Sequence, residues 1–478
     1  MSISSTAVLP GLSARALVTD PGIAATYAVD ASLGSTAPAS YTVVRARDVA
    51  DVVAVLAEAH AHGIPVVPQG ARTSLAGGAT ASEGSIVLNV EGLDEVAEVN
   101  ELEGYAVVGP GVVNQDLKKA VSGVGLFYPP DPASSATCTI GGNVATNSGG
   151  PHTLKYGVTV NHVRGVELVL PDGSVVEVGG MTEDNPGYDL TGLIVGNEGT
   201  FGITTRVTVG LTRDPEAGRT LLGVFAGVDQ ATETVSGIIA AGIVPAALEM
   251  LDTLMIQAIE KAFAFGFPTD AGAVLIIEVD GLEAGLDADA QAISQIVKTH
   301  GGTVQKSIAW RTRKEPEYVA IWKSRKSAFG AIGRLSPTFC TQDGVVPRTK
   351  LPHILRFISK VAERYNIRIA NVFHAGDGNI HPILLFDERD AEQVKRVLLA
   401  SHEILDECIA LGGSVTGEHG IGVEKMEFMP KLFTPEDLAA MVALRRTFNP
   451  EGRCSPDKML PGGAGCIERK SPGHRASA

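Results

Sequence analysis

Apolar positions along this chain recur in two different periods. Thr42 to Arg45 alternates as a strand does, and Val49, Val52, Val53, Leu56 and Ala59 return at helical spacing until Gly63 supplies a stop. Ile64 to Val67 is then a short β-rich run, which completes a predicted β-α-β opening. Further strands are predicted at Ile86 to Val90 and Tyr105 to Val108, and Val166 to Val178 reads as a hairpin turning at Pro171-Asp172-Gly173-Ser174. Near Arg213-Asp214-Pro215-Glu216 the pattern changes. Strand Leu221 to Phe225, helix Gln230 to Ala241, strand Ala273 to Val279 and helix Ala288 to His300 follow, so a domain boundary is placed there. From about Asp390 the chain reads as mostly helical, with Pro435 opening a helix that runs to Phe448. Residues 1–35 read as a lead-in with room for one short helix, and residues 462–478 as a disordered tail.

A chain of 478 residues is too long for one core, which implies two or three domains and room for a large cofactor. The net charge of -15 argues against nucleic acid or an anionic membrane as partner, and it requires a locally positive pocket for any anionic substrate. Cys138, Cys340, Cys408, Cys454 and Cys466 form an odd set with no C-x-x-C, which fits neither a disulfide framework nor a thiolate metal site and points to the cytoplasm. No apolar run is long enough to predict an integral membrane segment, and contact with a membrane through a partner stays open.

The 55 glycines are clustered. The first dense segment runs from Pro65 to Ala79, where Gly70, Gly77 and Gly78 let successive N–H groups point inward and Thr73 and Ser74 add hydroxyls; Arg72 adds charge. Taken alone it is equally an ordinary tight loop. The second, Tyr128 to Gly150, packs prolines, polar donors and paired glycines into a run expected to hold neither helix nor strand. A third, Ile194-Val-Gly-Asn-Glu-Gly-Thr-Phe-Gly-Ile203, follows another apolar strand. None fits G-x-G-x-x-G opening a helix, which disfavours a nicotinamide dinucleotide fold.

Together the three segments resemble the FAD-binding domain of the vanillyl-alcohol oxidase / p-cresol methylhydroxylase superfamily. The resemblance implies an α+β fold. A two-subdomain FAD-binding domain would cover residues 36–214, and a substrate (cap) domain 215–461, whose C-terminal helical segment returns to the flavin. It also implies that Gln69, Gly70, Ala71, Arg72, Thr73 and Ser74, with Gly77, hold the FAD pyrophosphate. Pro130, Asp131, Ser134, Thr139, Gly141, Gly142, Asn143, Gly149 and Gly150 would line the isoalloxazine and ribityl side. Glu198, Gly199 and Ile203 would line the adenosine side, and Asn449 joins the cofactor set. The first segment lacks the histidine that commonly carries a covalent flavin in the superfamily, so non-covalent FAD is expected.

In the second half, His374 and His381 flank a Gly-Asp-Gly turn that lets both imidazoles converge, and Glu418-His419 sits in another glycine-rich loop. Two histidines and a glutamate suit zinc or manganese; two loop histidines and an exposed glutamate are the plainer alternative. Trp322-Lys-Ser-Arg-Lys326 is a basic patch on a predicted helix, by default a solvated face.

His-Ala-Gly-Asp-Gly-Asn-Ile-His and Gly-Glu-His-Gly-Ile-Gly resemble the signatures of the glycolate oxidase D-subunit, D-lactate dehydrogenase and D-2-hydroxyglutarate dehydrogenase group. By that resemblance His374, His381 and Glu418 ligate a divalent metal, His419 is the catalytic base and Arg325 grips the substrate carboxylate. The implied reaction is FAD-dependent oxidation of a small 2-hydroxy acid to the 2-oxo acid. Cys340-Thr-Gln-Asp343 lacks the lysine that relatives acting on 2-hydroxyglutarate carry before the aspartate, which favours glycolate or D-lactate. D-2-hydroxyglutarate oxidation, a non-catalytic flavin subunit and a metal-dependent hydrolase remain the alternatives. The electron acceptor (quinone, cytochrome, electron-transfer flavoprotein or iron–sulfur subunit) and a homodimer are left open.

Overall fold

The computed structural model describes residues 16–182 and 186–461, so the expected tail and the first part of the lead-in lie outside the described residues. The predicted short helix of the lead-in is Pro21–Ala25, capped by the Asp20 side chain.

Three parallel strands, Tyr41–Arg45, Ser85–Asn89 and Val66–Gln69, form the first sheet, with Leu17–Val18 antiparallel at its edge. The intervening helix Val49–His62 buries Val52, Leu56 and Ala59 of the predicted stripe together with Val55, while Val49 and Val53 are only partly buried at its edge, and it ends at Gly63 with φ 66°. The strand expected over residues 64–67 instead occupies Val66–Gln69, which brings the first glycine-rich segment directly off its end.

A second sheet is wholly antiparallel, in the order Val96–Asn100, Tyr105–Val108, Ile203–Gly210, Val163–Val169, Val175–Gly179. Its last two strands are the predicted hairpin. The second glycine-rich segment contains a helix, Ile140–Thr146, against expectation. The prolines that would break it all lie upstream, Thr139 caps Gly142 N–H, and Gly141 sits where a Cβ would lie 2.6 Å from Pro110. The glycines there allow a close helix–loop contact.

Strands from Ala217 onward build one large antiparallel sheet, ordered Thr303–Trp310, Ala217–Phe225, Ala273–Gly281, Ala247–Asp252, Arg368–His374, Asn379–Phe386, Thr338–Thr341, with Gly344–Val345 also on Asn379–Phe386. Its inner strands Ala273–Gly281, Ala247–Asp252 and Asn379–Phe386 are buried nearly throughout because both faces are covered, while the edge strand Thr303–Trp310 is half polar and mostly exposed. Helices Val228–Ala240, Leu286–Thr299, Leu351–Tyr365 and Ala391–Ala410 pack on one face. Thr253–Phe263, Pro316–Lys326 and Ala328–Ile332 pack on the other.

The chain then returns to the first half. Phe448, at the end of helix Pro435–Phe448, stacks on Phe201 at 4.5 Å, and Arg453 and Ser455 bracket Val66 with backbone hydrogen bonds of 2.9 Å each.

Candidate functional site

A cavity of about 760 Å³ opens between the two halves, at the upper end of the size usual for small-molecule sites. One wall is the loop after Gln69. The Gln69 side chain donates to Tyr27 O at 2.7 Å and Ala79 O at 2.5 Å, which holds the loop curved. The N–H groups of residues 71–75 make no hydrogen bond among the described residues and are open to an acceptor in the cavity, such as a pyrophosphate would supply. That concave main chain, with the helix Ile140–Thr146 and the Asn197–Gly199 loop opposite, fits FAD. Arg72 has φ 60°, pairs with Glu91 at 3.2 Å and lies over the Tyr27 ring, so its charge is met within the protein.

The other wall carries the titratable groups. In the hairpin Arg368–His374/Asn379–Phe386, His381 pairs across from Val372, two residues from His374, so both imidazoles leave the same sheet face. The hairpin turn needs Gly378 at φ 82°, where a Cβ would meet Val346 O at 2.1 Å. Nε2 of His374 and Nε2 of His381 each lie 3.3 Å from Glu418 Oε1. Nδ1 of His374 contacts Glu249 Oε1 at 2.6 Å and Nδ1 of His381 faces Gln342 O at 3.3 Å, so both Nε2 atoms are left for the cavity. Two imidazoles and a carboxylate, backed by outer acceptors, fit a divalent cation.

Glu418 and His419 are positioned by Asp343, whose Oδ2 accepts from Thr416 Oγ1 and from the N–H groups of Gly417, Glu418 and His419 at 2.7–3.1 Å. From the first half, Gly149 N–H donates to Glu418 Oε2 at 3.3 Å. The His419 ring stacks on His381 at 5.3 Å. Burial brings the His419 imidazole down to about 4 despite Asp343, which leaves it neutral and able to accept a proton. Burial also works against a charged His374, but Glu249 and Glu418 outweigh it and hold that imidazole well above the ordinary range.

The helix Pro316–Lys326 lies on the same sheet face, with Trp322 Nε1 on Glu278 Oε2 at 2.7 Å and Arg325 Nε on Glu249 Oε2 at 2.6 Å. The expected solvated basic face is therefore half wrong: Lys323 and Lys326 are exposed, but Trp322 and Arg325 are buried.

Fourteen of the twenty expected cofactor residues line the cavity: Gln69 to Ser74, Ser134, Thr139, Gly141, Gly142, Asn143, Glu198, Gly199 and Ile203. So do Arg325, His374, His381, Glu418 and His419. Gly77, Pro130, Asp131, Gly149, Gly150 and Asn449 stand behind that lining. Asp131 bridges the two halves through Lys118 at 2.8 Å and Lys326 at 3.1 Å. Asn449 donates to Thr200 O and Cys454 O, bracing the Asn197–Gly199 loop from outside. Glu198 faces the cavity and also accepts from Ile421 and Gly422 N–H at 2.7 Å each, tying the halves together.

Sequence reasoning missed Glu249, the pinning role of Asp343, and the lead-in residues 31–35, which form cavity wall through Ala31 N–H on Ser74 O. Glu249 sits inside an otherwise apolar run, Ala-Ala-Leu-Glu-Met-Leu, ahead of the Asp252 that caps the next helix; a carboxylate in the middle of so apolar a run was the available signal.

Residues 41–179 match the model of a family described as FAD binding domain, and residues 214–459 that of FAD linked oxidases, C-terminal domain. The glycolate oxidase subunit GlcD of Escherichia coli K12 is 40% identical over 426 residues, 89% of this chain and 85% of the relative. That of Bacillus subtilis is 41% identical over 87% of this chain and 88% of its own. The mitochondrial D-lactate dehydrogenase [cytochrome] of Arabidopsis thaliana is 30% identical over 88% of this chain and 73% of its own. Among solved structures, p-cresol methylhydroxylase superposes with TM-score 0.76 at 16% identity, covering 93% of this chain and 94% of that one. A 4-ethylphenol oxidase from Gulosibacter chungangensis gives 0.76 at 17%, covering 94% and 95%. These place the fold in the p-cresol methylhydroxylase type, as the glycine-rich segments led one to expect. With both halves matched by flavin-oxidase families and relatives 40% identical across most of their length, this chain belongs to the FAD-linked oxidases.

Proposed function

We propose that this protein oxidises a small 2-hydroxy acid, glycolate or D-lactate, to the 2-oxo acid, with FAD bound non-covalently and zinc or manganese held by His374, His381 and Glu418. The observation that carries the reading is the convergence of those three ligands, a neutral His419 and the Arg325 guanidinium on one wall of a cavity whose other wall is built of FAD-binding loops. When bound, the flavin supplies the two-electron acceptor and the cation polarises the substrate hydroxyl.

The chain's own residues do the rest. Arg325 commits Nε to Glu249 and turns its remaining donors to the substrate carboxylate, the local positive charge that an acidic protein needs for an anionic substrate. His419 presents one ring nitrogen toward Asp343, 3.9 Å away, and accepts the hydroxyl proton on the other. The position before Asp343 is Gln342, a neutral amide tied to Glu424 at 3.1 Å, so that position offers no charge to a second carboxylate. This supports glycolate or D-lactate over 2-hydroxyglutarate, in line with the relatives' names. Those names include the word subunit, which favours a partner chain as electron acceptor, in the cytoplasm or at a membrane surface; among the described residues no helix is long and apolar enough to cross a membrane.

The test is anaerobic titration of the purified yellow protein with glycolate, D-lactate, L-lactate and D-2-hydroxyglutarate. Bleaching of the flavin band by glycolate or D-lactate supports the reading, and a flavin that none of the four reduces overturns it. Metal analysis should find one equivalent in the wild type and almost none in His381→Ala.

A further inference from the structure

Glu249 lies opposite His374 in the sheet, is fully buried, and uses its two oxygens on two different parts of the site. Oε1 accepts from His374 Nδ1 at 2.6 Å, and Oε2 accepts from Arg325 Nε at 2.6 Å. His374 reaches the cavity from a strand and Arg325 from a helix packed over that strand, and this one carboxylate is bonded to both. An acid is costly inside a strand whose other residues are also buried, and it is sustained here by two short charge-assisted bonds.

We propose that Glu249 is a positioning residue that couples the metal-ligand set to the substrate-carboxylate anchor. It fixes which nitrogen of His374 faces the cation, and with the same group it fixes where Arg325 presents its fork. The hydroxyl end and the carboxylate end of a 2-hydroxy acid are thus held at one separation by a single side chain. The inference rests on the reading of His374, His381 and Glu418 as ligands and of Arg325 as anchor.

Glu249→Gln tests it directly. An amide can accept from His374 or from Arg325, but its NH2 then confronts the other donor, so one arm is lost and the other strained. Outer partners of metal-bound histidines typically carry 10–100-fold in metal affinity. E249Q should therefore weaken the dissociation constant for zinc, read by competition with a chromophoric chelator, by about that factor. At saturating metal it should also raise KM for glycolate about tenfold or more, with a smaller change in kcat, because Arg325 no longer presents the same edge. Glu249→Asp is the second variant. It keeps the charge, so the fold is preserved, but it is one methylene too short to reach both partners, and both constants should again move together.

Metal affinity that shifts while KM at saturating metal stays put, or the reverse, refutes the coupling. Neither constant moving in E249D refutes any positioning role, also where E249Q does not fold. Failure of the wild type to bind zinc or to oxidise any 2-hydroxy acid would instead strike the functional reading beneath it, so the two failures are told apart.

Discussion

Asp343→Asn should damage this protein more than the removal of one surface charge would. Asp343 is fully buried, and its Oδ2 gathers a hydroxyl and three backbone N–H groups of residues 416–419. An asparagine oxygen in that place keeps four contacts but as neutral ones, roughly half as strong, a loss of about 1–2 kcal/mol when four donors share one acceptor. Lys425 adds a greater loss. Its Nζ lies 3.6 Å from Asp343 Oδ2, is 2% exposed as a residue and has no hydrogen bond of its own. Stranding one member of a buried ion pair costs about 3–5 kcal/mol, and the nearby carboxylates of Glu198 and Glu424 put the figure at the lower end, about 3 kcal/mol. The sum of about 4 kcal/mol is a large share of a typical folding free energy of about 5–15 kcal/mol. For a domain of about 250 residues it corresponds to a fall of roughly 10 °C in melting midpoint. Differential scanning calorimetry reads the midpoint, and metal content and turnover read the loop. The double variant D343N/K425M, which removes the stranded ammonium, should recover several degrees while turnover stays low, because the loop carrying Glu418 and His419 is still held only by neutral bonds. A D343N midpoint within about 2 °C of wild type, or a double variant no more stable than D343N, would refute this reasoning.

His419→Ala should slow flavin reduction by about 10²–10⁴ in stopped flow with KM changed only a few-fold; an unchanged reduction rate removes it as base. Gly70→Ala places a Cβ 2.4 Å from Thr139 Oγ1, so Thr139 must turn away from its cap on Gly142 or one of the two cofactor loops must shift, at about 1–3 kcal/mol, and the purified protein should carry several-fold less flavin absorbance per chain. Burial alone would raise the Asp131 carboxyl, but Lys118, Lys326 and His152 hold it well below the ordinary range. With the folded value below the unfolded one, its stabilisation is complete above about pH 4 and is lost as the pH falls toward the depressed value. Asp131→Asn should accordingly cost about 2 kcal/mol at pH 7, and the gap from wild type in denaturant midpoint should shrink at about pH 3; a gap that stays constant contradicts the assignment.

The elements that local rules govern were legible from the residues alone. Helix Val49–His62 ends at Gly63, the hairpin turns at residues 171–174, and Pro435 opens a helix that runs to Phe448, because each depends on neighbours a few positions away. The glycine-rich segments were legible as places where main chain approaches something closely, but what they approach was not. Gly141 meets Pro110, Gly199 meets Pro68 and Gly422 meets Ala76, so several serve chain packing more than contact with a ligand. The helix Ile140–Thr146 escaped because its support comes from such packing.

By itself the sequence determined where close main-chain approaches and converging polar groups would fall: three glycine-rich segments, two histidines around a tight turn, and a Glu-His pair; that they serve a flavin and a metal rested on the family those segments resemble. Only the tertiary structure decided which groups hold those residues in place. Glu249, Asp343 and Asp131 act on partners that lie 76, 75 and 195 positions away, in Arg325, Glu418 and Lys326. A buried carboxylate takes whatever donors the packed sheets and helices bring to it, and no local pattern records which those will be.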